Sequence, residues 1–123
     1  MNLFTSYYGK SFNHPKAVAI SCGIPSGFEG RVCKLVAPPW SLVSDYKEGR
    51  INWALYTMDY MDMLDRIGER AITKLFSEGD VLLCYEKPGE HCHRHLLAEW
   101  LNRRGHHVVE LGDDDDGTLN AGS

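Results

Sequence analysis

Residues 81–111 constrain the fold more than any other stretch. Val81-Leu82-Leu83-Cys84-Tyr85 is an apolar run of strand length, and Pro88-Gly89 stops it, because proline lacks a ladder donor and glycine permits a turn. Leu97, Trp100 and Leu101 then recur at helical spacing with Leu96 beside them. Arg103-Arg104-Gly105 supplies a basic last turn and a glycine suited to a left-handed helix end. Val108-Val109-Glu110-Leu111 reads as a further short strand. Strand, helix and strand in series within one sheet almost always form a right-handed parallel crossover. The pattern therefore predicts an α/β chain in which Glu86 to His95 sits at a strand's carboxyl end, where open parallel sheets bind ligands.

The remaining elements fit that class. Leu3 to Tyr8 reads as a first strand ended by Gly9. Gly9-Lys10-Ser11 is not a phosphate loop, because Phe4 stands where the upstream glycine is required. Ala17 to Ser21 has the near-continuous hydrophobicity of a buried parallel strand, and Val32 to Val36 suggests a third strand or an extended edge. Pro38-Pro39 forces an extended turn before a short helix that Trp40 opens. From an N-cap at Asn52, the residues Trp53, Tyr56, Tyr60, Met63, Leu64 and Ile67 share one helical stripe and read as core. Gly68 interrupts, and Ala71, Ile72, Leu75 and Phe76 make a shorter helix ending near Gly79. The expectation is one Rossmann-like α/β domain over residues 1–111, with a mainly parallel sheet flanked by helices. Residues 112–123, with their block of like charges, read as a disordered acidic tail.

Charge narrows the function classes. The net charge of −4 belongs to Asp113 to Asp116; without them, thirteen acidic residues face thirteen basic ones. A neutral body argues against a broad surface for duplex DNA. The apolar runs are too short for a membrane span and no secretory leader is evident, so the expected location is cytoplasmic. Four cysteines in such a setting read as reduced thiols, metal ligands or catalytic groups rather than a disulfide framework.

The chemistry concentrates between Cys84 and His95, which holds two thiols, two carboxylates, a lysine, an arginine and three imidazoles. Cys92, His93 and Arg94 fall at the first turn of a helix, whose free N–H groups and dipole favour a thiolate or an anion. One reading is an enzyme pocket in which Cys92 is a nucleophile flanked by His91 and His93, Glu86 or Glu90 moves protons, and Arg94 grips an anionic group through its planar fork. Lys87, with Tyr7 and Ser21 at the ends of the first two strands, completes the expected substrate-binding set. The ligand would be a nucleotide, a nucleobase or nucleoside, or another small anion. A second reading is a zinc or iron site drawn from Cys84, His91, Cys92, His93 and His95, with His91 and His95 sharing a face if both are helical. A third is a noncatalytic module for RNA or a protein partner that displays Trp40, Tyr7 and Tyr8. Taken singly, Cys84, Cys22 and Cys33 read as small core hydrophobes. Spacing assigns no cofactor and no oligomeric state.

The run from Leu83-Cys84-Tyr85-Glu86-Lys87-Pro88-Gly89-Glu90-His91-Cys92-His93-Arg94 through Leu101 resembles the signature of the domain of unknown function 488 family. Phe28-Glu29-Gly30-Arg31, Leu35-Val36-Ala37-Pro38-Pro39-Trp40 and Tyr46-Lys47-Glu48-Gly49-Arg50-Ile51-Asn52-Trp53, with Tyr56, are similar to its middle motifs. The typical Ser-Arg-Gly after the second strand is here Ser21-Cys22-Gly23, so no arginine role carries over at that point. The resemblance implies a Rossmann-like domain with its active site around the Cys-His-Arg motif, and it implies no particular reaction.

Overall fold

A computed structural model describes residues 1–86 and 90–112. The expectations for Lys87, for the Pro88-Gly89 turn and for the tail beyond Gly112 lie outside the described residues. Five strands form an all-parallel sheet: β1 (Asn2–Tyr7), β2 (Ala17–Ala19), β3 (Arg31–Val32), β4 (Val81–Cys84) and β5 (His107–Glu110), in the spatial order β3-β2-β4-β1-β5. The helices are α1 (Tyr8–Ser11), α2 (Trp40–Lys47), α3 (Trp53–Ile67), α4 (Glu69–Thr73) and α5 (His93–Asn102). The expected α/β class with a parallel sheet flanked by helices is what the chain adopts.

β4 lies at the centre, between β2 and β1, and all four of its residues are buried. This is why its sequence is apolar without alternation: each face of a central parallel strand meets a covering layer. Leu82 points with Leu3, Val18 and Val108 into a cluster with Tyr56, Tyr60 and Leu64 of α3 and Leu97, Trp100 and Leu101 of α5. Val81 and Leu83 point the other way, toward Ala17, Ala19, Tyr8 and Leu111, with Phe12, Ile24 and Phe28 packed alongside. Side chains alternate along a strand, so Cys84 falls in step with Leu82 on the α3 and α5 side.

Several local expectations shift by a few residues. The third strand is only Arg31–Val32, and Lys34–Val36 is a 3-10 turn instead. Val36 is drawn down into the helix-side core, where its carbonyl accepts the Tyr60 hydroxyl at 2.7 Å. α4 stops at Thr73, and turns carry the chain from there to β4. The Asn52 cap holds, with its side-chain oxygen accepting the Leu55 N–H at 2.9 Å.

The motif around Gly30 also has a structural reason. A Cβ at Gly30 would stand 2.8 Å from the Ala17 carbonyl oxygen, so the β2–β3 approach excludes a side chain there. Phe28 covers the second face, and Arg31 pairs with the buried Asp80 at 2.9 Å.

Tyr60→Phe keeps the packing of α3 but leaves the buried Val36 carbonyl without its partner. Urea unfolding is expected to show a loss of about 1–2 kcal/mol, with an unchanged m-value.

Candidate functional site

The carboxyl ends of β2 and β4 open onto a cavity of about 530 Å³, within the range of small-molecule sites. Its floor comes from the β4 end and the start of α5. Cys84 closes β4 and Cys92 is the N-cap of α5, so the strand-loop-helix turn returns the second thiol to the first. Cys84 and Cys92 are 1% and 3% exposed, and their sulfurs pair as a disulfide across eight residues. The sequence expectation for the four cysteines was reduced thiols, metal ligands or catalytic groups rather than disulfides; the return of the chain pairs two of them, while Cys22 and Cys33 are free.

His93 is the next residue and is 6% exposed. One ring nitrogen, Nε2, lies 2.7 Å from the Ile20 carbonyl oxygen, and Nδ1 lies 3.8 Å from the Cys92 sulfur. A carbonyl only accepts, so Nε2 carries the proton and donates it. Burial pushes the imidazole down to about 4, opposed by the Ile20 bond and assisted by the nearby Arg94 charge. His93 is therefore neutral near pH 7, with its Nδ1 lone pair on the side of the Cys92 sulfur.

Arg94 is 0% exposed and serves the scaffold around these groups. Its Nε and Nη2 donate to the two oxygens of Glu110 at 3.0 and 2.8 Å, a bidentate pair across to β5. Its Nη1 donates to the Cys84 sulfur at 3.0 Å and to the Glu86 carbonyl at 2.5 Å. Thr5 Oγ1 donates to Glu110 as well, at 2.6 Å. The fork that the sequence reading directed at a substrate anion is occupied by Glu110, Cys84 and the Glu86 backbone, and Arg94 is not among the groups lining the cavity.

The other expected residues divide in the same way. Ser21, Glu86, Cys92 and His93 line the cavity together. Ser21 donates to the Gly23 carbonyl and is bonded to the Tyr8 hydroxyl, each at 2.6 Å. Burial of Tyr8 pushes its phenol up to about 12. Glu86 pairs with Lys47 at 3.3 Å. Tyr7 lies instead beside Arg94, its ring 5.9 Å from the guanidinium carbon. His91 precedes α5, so it does not share a helical face with His95. Of the supposed display aromatics, Trp40 is 63% exposed whereas Tyr8 is buried.

Two of the wall residues, Trp53 and Tyr56, are ones that periodicity assigned to the core. Trp53 and Tyr56 of α3 stack at 4.7 Å, and His91 stacks on the Trp53 ring at 4.4 Å with planes only 8° apart. The Tyr46 hydroxyl bonds His91 Nδ1 at 3.0 Å. Trp40, Tyr85, Pro38 and Lys47 complete the lining. Burial, then the Glu86 charge, holds the Tyr56 phenol well above its usual value. The signal for these residues was present in the Pro-Pro-Trp and Tyr-Lys-Glu-Gly-Arg-Ile-Asn-Trp motifs, whose aromatics converge here. Arg50 shapes the turn between α2 and α3 by bonding Asp45 and Glu48, each at 2.7 Å.

The Cys84–Cys92 pair and the His93 imidazole at the floor, with aromatic walls above them, define an α/β protein with a cavity at the carboxyl edge of its parallel sheet. The family model DUF488-N3a, described as the active DUF488-N3 subclade, matches residues 9–105, and the chain belongs to the DUF488 family. No curated protein and no solved structure matches it.

Removing Arg94 leaves Glu110 without its bidentate partner and the end of β4 without its tie. Arg94→Ala is expected to lose about 3–5 kcal/mol in urea unfolding, and the loss should shrink in a Glu110→Gln background; equal losses in both backgrounds would show that the pair is not coupled.

Proposed function

We propose that this chain is an enzyme acting on a nucleobase, nucleoside or nucleotide bound in the aromatic-walled cavity. The observation that carries the reading is the wall itself: flat rings at Trp40, Trp53, Tyr56 and His91 surround a space of about 530 Å³ beside the buried Cys84–Cys92 pair and an imidazole. Planar heterocycles gain from stacking on such rings whatever their edge pattern. The description of the matched subclade as active supports catalysis over passive binding.

In this reading Glu86 moves protons, because it is the carboxylate that lines the cavity at the end of β4. Cys92 and His93 sit under the reacting atom of the substrate, and Ser21 bonds its polar edge. Lys47, already on the wall beside Glu86, meets a phosphate where the ligand has one. Arg94 acts as a positioning residue, since its bonds fix Cys84 and the Glu86 backbone.

The test is a panel of nucleobases, nucleosides and nucleoside monophosphates, scored by thermal shift and tryptophan fluorescence on the full chain. One class should bind, and Trp40→Ala, an exposed position, should weaken it about tenfold, in keeping with ~1–3 kcal/mol per stacked base. Glu86→Gln should retain binding and lose turnover of the bound compound. A panel without any binder, or binding unchanged by Trp40→Ala, sinks the reading.

A further inference from the structure

The geometry points to a metal centre: Cys84 Sγ, Cys92 Sγ and His93 Nδ1 together hold one zinc-class divalent ion in the reduced chain, with a fourth position open to the cavity. Ligand atoms of these three buried residues lie within 4.8 Å of one another. Bonds of about 2.3 Å from sulfur and 2.0–2.1 Å from nitrogen fit inside that spread. Two thiolates and one imidazole with a vacant fourth place are a donor set of catalytic zinc, whereas structural sites close all four positions.

Three features beyond proximity support the assignment. The Cα atoms of Cys84 and Cys92 are 7.3 Å apart. That is wider than the roughly 4.4–6.8 Å usual for disulfides, and it gives two thiolates room to share an ion. The Nε2–H of His93 is fixed on the Ile20 carbonyl at 2.7 Å, which sets the tautomer and directs the Nδ1 lone pair inward. Metal-bound histidines are commonly oriented by this kind of bond. Arg94 donates to the Cys84 sulfur at 3.0 Å, as an outer group does to a ligating thiolate.

Charge also balances. Two thiolates cancel a divalent ion, and the Arg94 charge is met by Glu110. A buried centre of two bare thiolates would instead carry uncompensated charge, which is costly away from water. Formation from the paired state needs a thiol reductant, which supplies two electrons and two protons to the sulfurs and is itself oxidised to its disulfide. The two thiols then release two protons as the ion binds. Cys92 and His93 act here as ligands, and the open position faces whatever occupies the cavity. The assignment does not depend on which heterocycle, if any, fills that space.

The full-length chain, reduced and stripped of metal, is titrated anaerobically with cobalt(II) alone. One ion per chain is expected, with thiolate-to-cobalt charge-transfer bands and the intense visible bands of a four-coordinate site. Cyanide should shift those bands by entering the open position. A thiol reagent added to the unaltered protein should find all four cysteines without metal, and only Cys22 and Cys33 reactive with it. Cys84→Ser and Cys92→Ser should each lose charge-transfer intensity, and His93→Gln should change the visible bands; the thiol count on unaltered protein stands even if a variant fails to fold. Protein that takes up no cobalt, binds it without sulfur bands, or leaves Cys84 and Cys92 reactive overturns the centre. Bands indifferent to cyanide overturn the open position. The nucleoside panel is a separate readout, so either proposal can fail alone.

Discussion

The buried guanidinium of Arg94 is the constraint on which the carboxyl edge of the sheet depends. From the first turn of α5 it reaches the end of β4 through Cys84 and the Glu86 carbonyl, and the end of β5 through both oxygens of Glu110. A fully buried cation is tolerable only when its donors are met and its charge is paired. Meeting those demands fixes three elements relative to one another. Thr5 of β1 joins the same carboxylate, so the tie extends across the β4-β1-β5 half of the sheet.

That tie determines what the rest of the site is free to do. With the β4 end and the α5 start clamped together, Cys84 and Cys92 must meet, and His93 is carried to the Ile20 carbonyl at the end of β2. The floor is consequently rigid and built from regular elements, which hold reactive geometry better than loops do. Most of the walls come from elsewhere in sequence, from Pro38, α2 and the first turns of α3, with Arg50 bracing the turn between those helices; Tyr85 and His91 of the β4–α5 connection complete them. The β4–α5 stretch thus supplies the floor and one side of the walls, and the fold brings α2 and α3 over it to close the rest.

The sequence made the floor readable and the walls not. An apolar run, a breaker and a helical repeat sufficed to place Glu86 to His95 at a strand end, since the period changes there from a buried strand to an amphipathic helix. The role of Arg94 was hidden because its partner Glu110 lies sixteen residues away on β5, and only the register of β1 with both β4 and β5 brings them together. Trp53 and Tyr56 were read as core because they share one stripe with Tyr60 and Leu64. The stripe is continuous, yet its first turns line the cavity while its later turns pack on the sheet. Spacing reports which face of a helix is apolar, and it does not report what that face meets along its length. The short β3 was misjudged for a similar reason: Val36 is apolar because it turns into the core beside Tyr60, not because it continues the strand.

The distribution of charge bears on the kind of ligand proposed for the cavity. Among the described lining residues, the full charges belong to Lys47, Glu86 and Glu90, and Lys47 is paired with Glu86. The strongest cation nearby, Arg94, is sealed behind Cys84 and neutralised by Glu110. A pocket built to seize a dianion would expose guanidinium forks or a run of free backbone donors. This one exposes rings instead, with His91 held parallel to Trp53 by its bond to Tyr46. On the proposed reading, recognition by area and planarity leaves the substrate's polar edge to the floor, to Ser21, Glu86 and the Cys84, Cys92 and His93 cluster. On the proposed reading, the residues that discriminate between ligands and those that react with them are the same few at the ends of β2 and β4, and the aromatic walls hold a flat ligand over them.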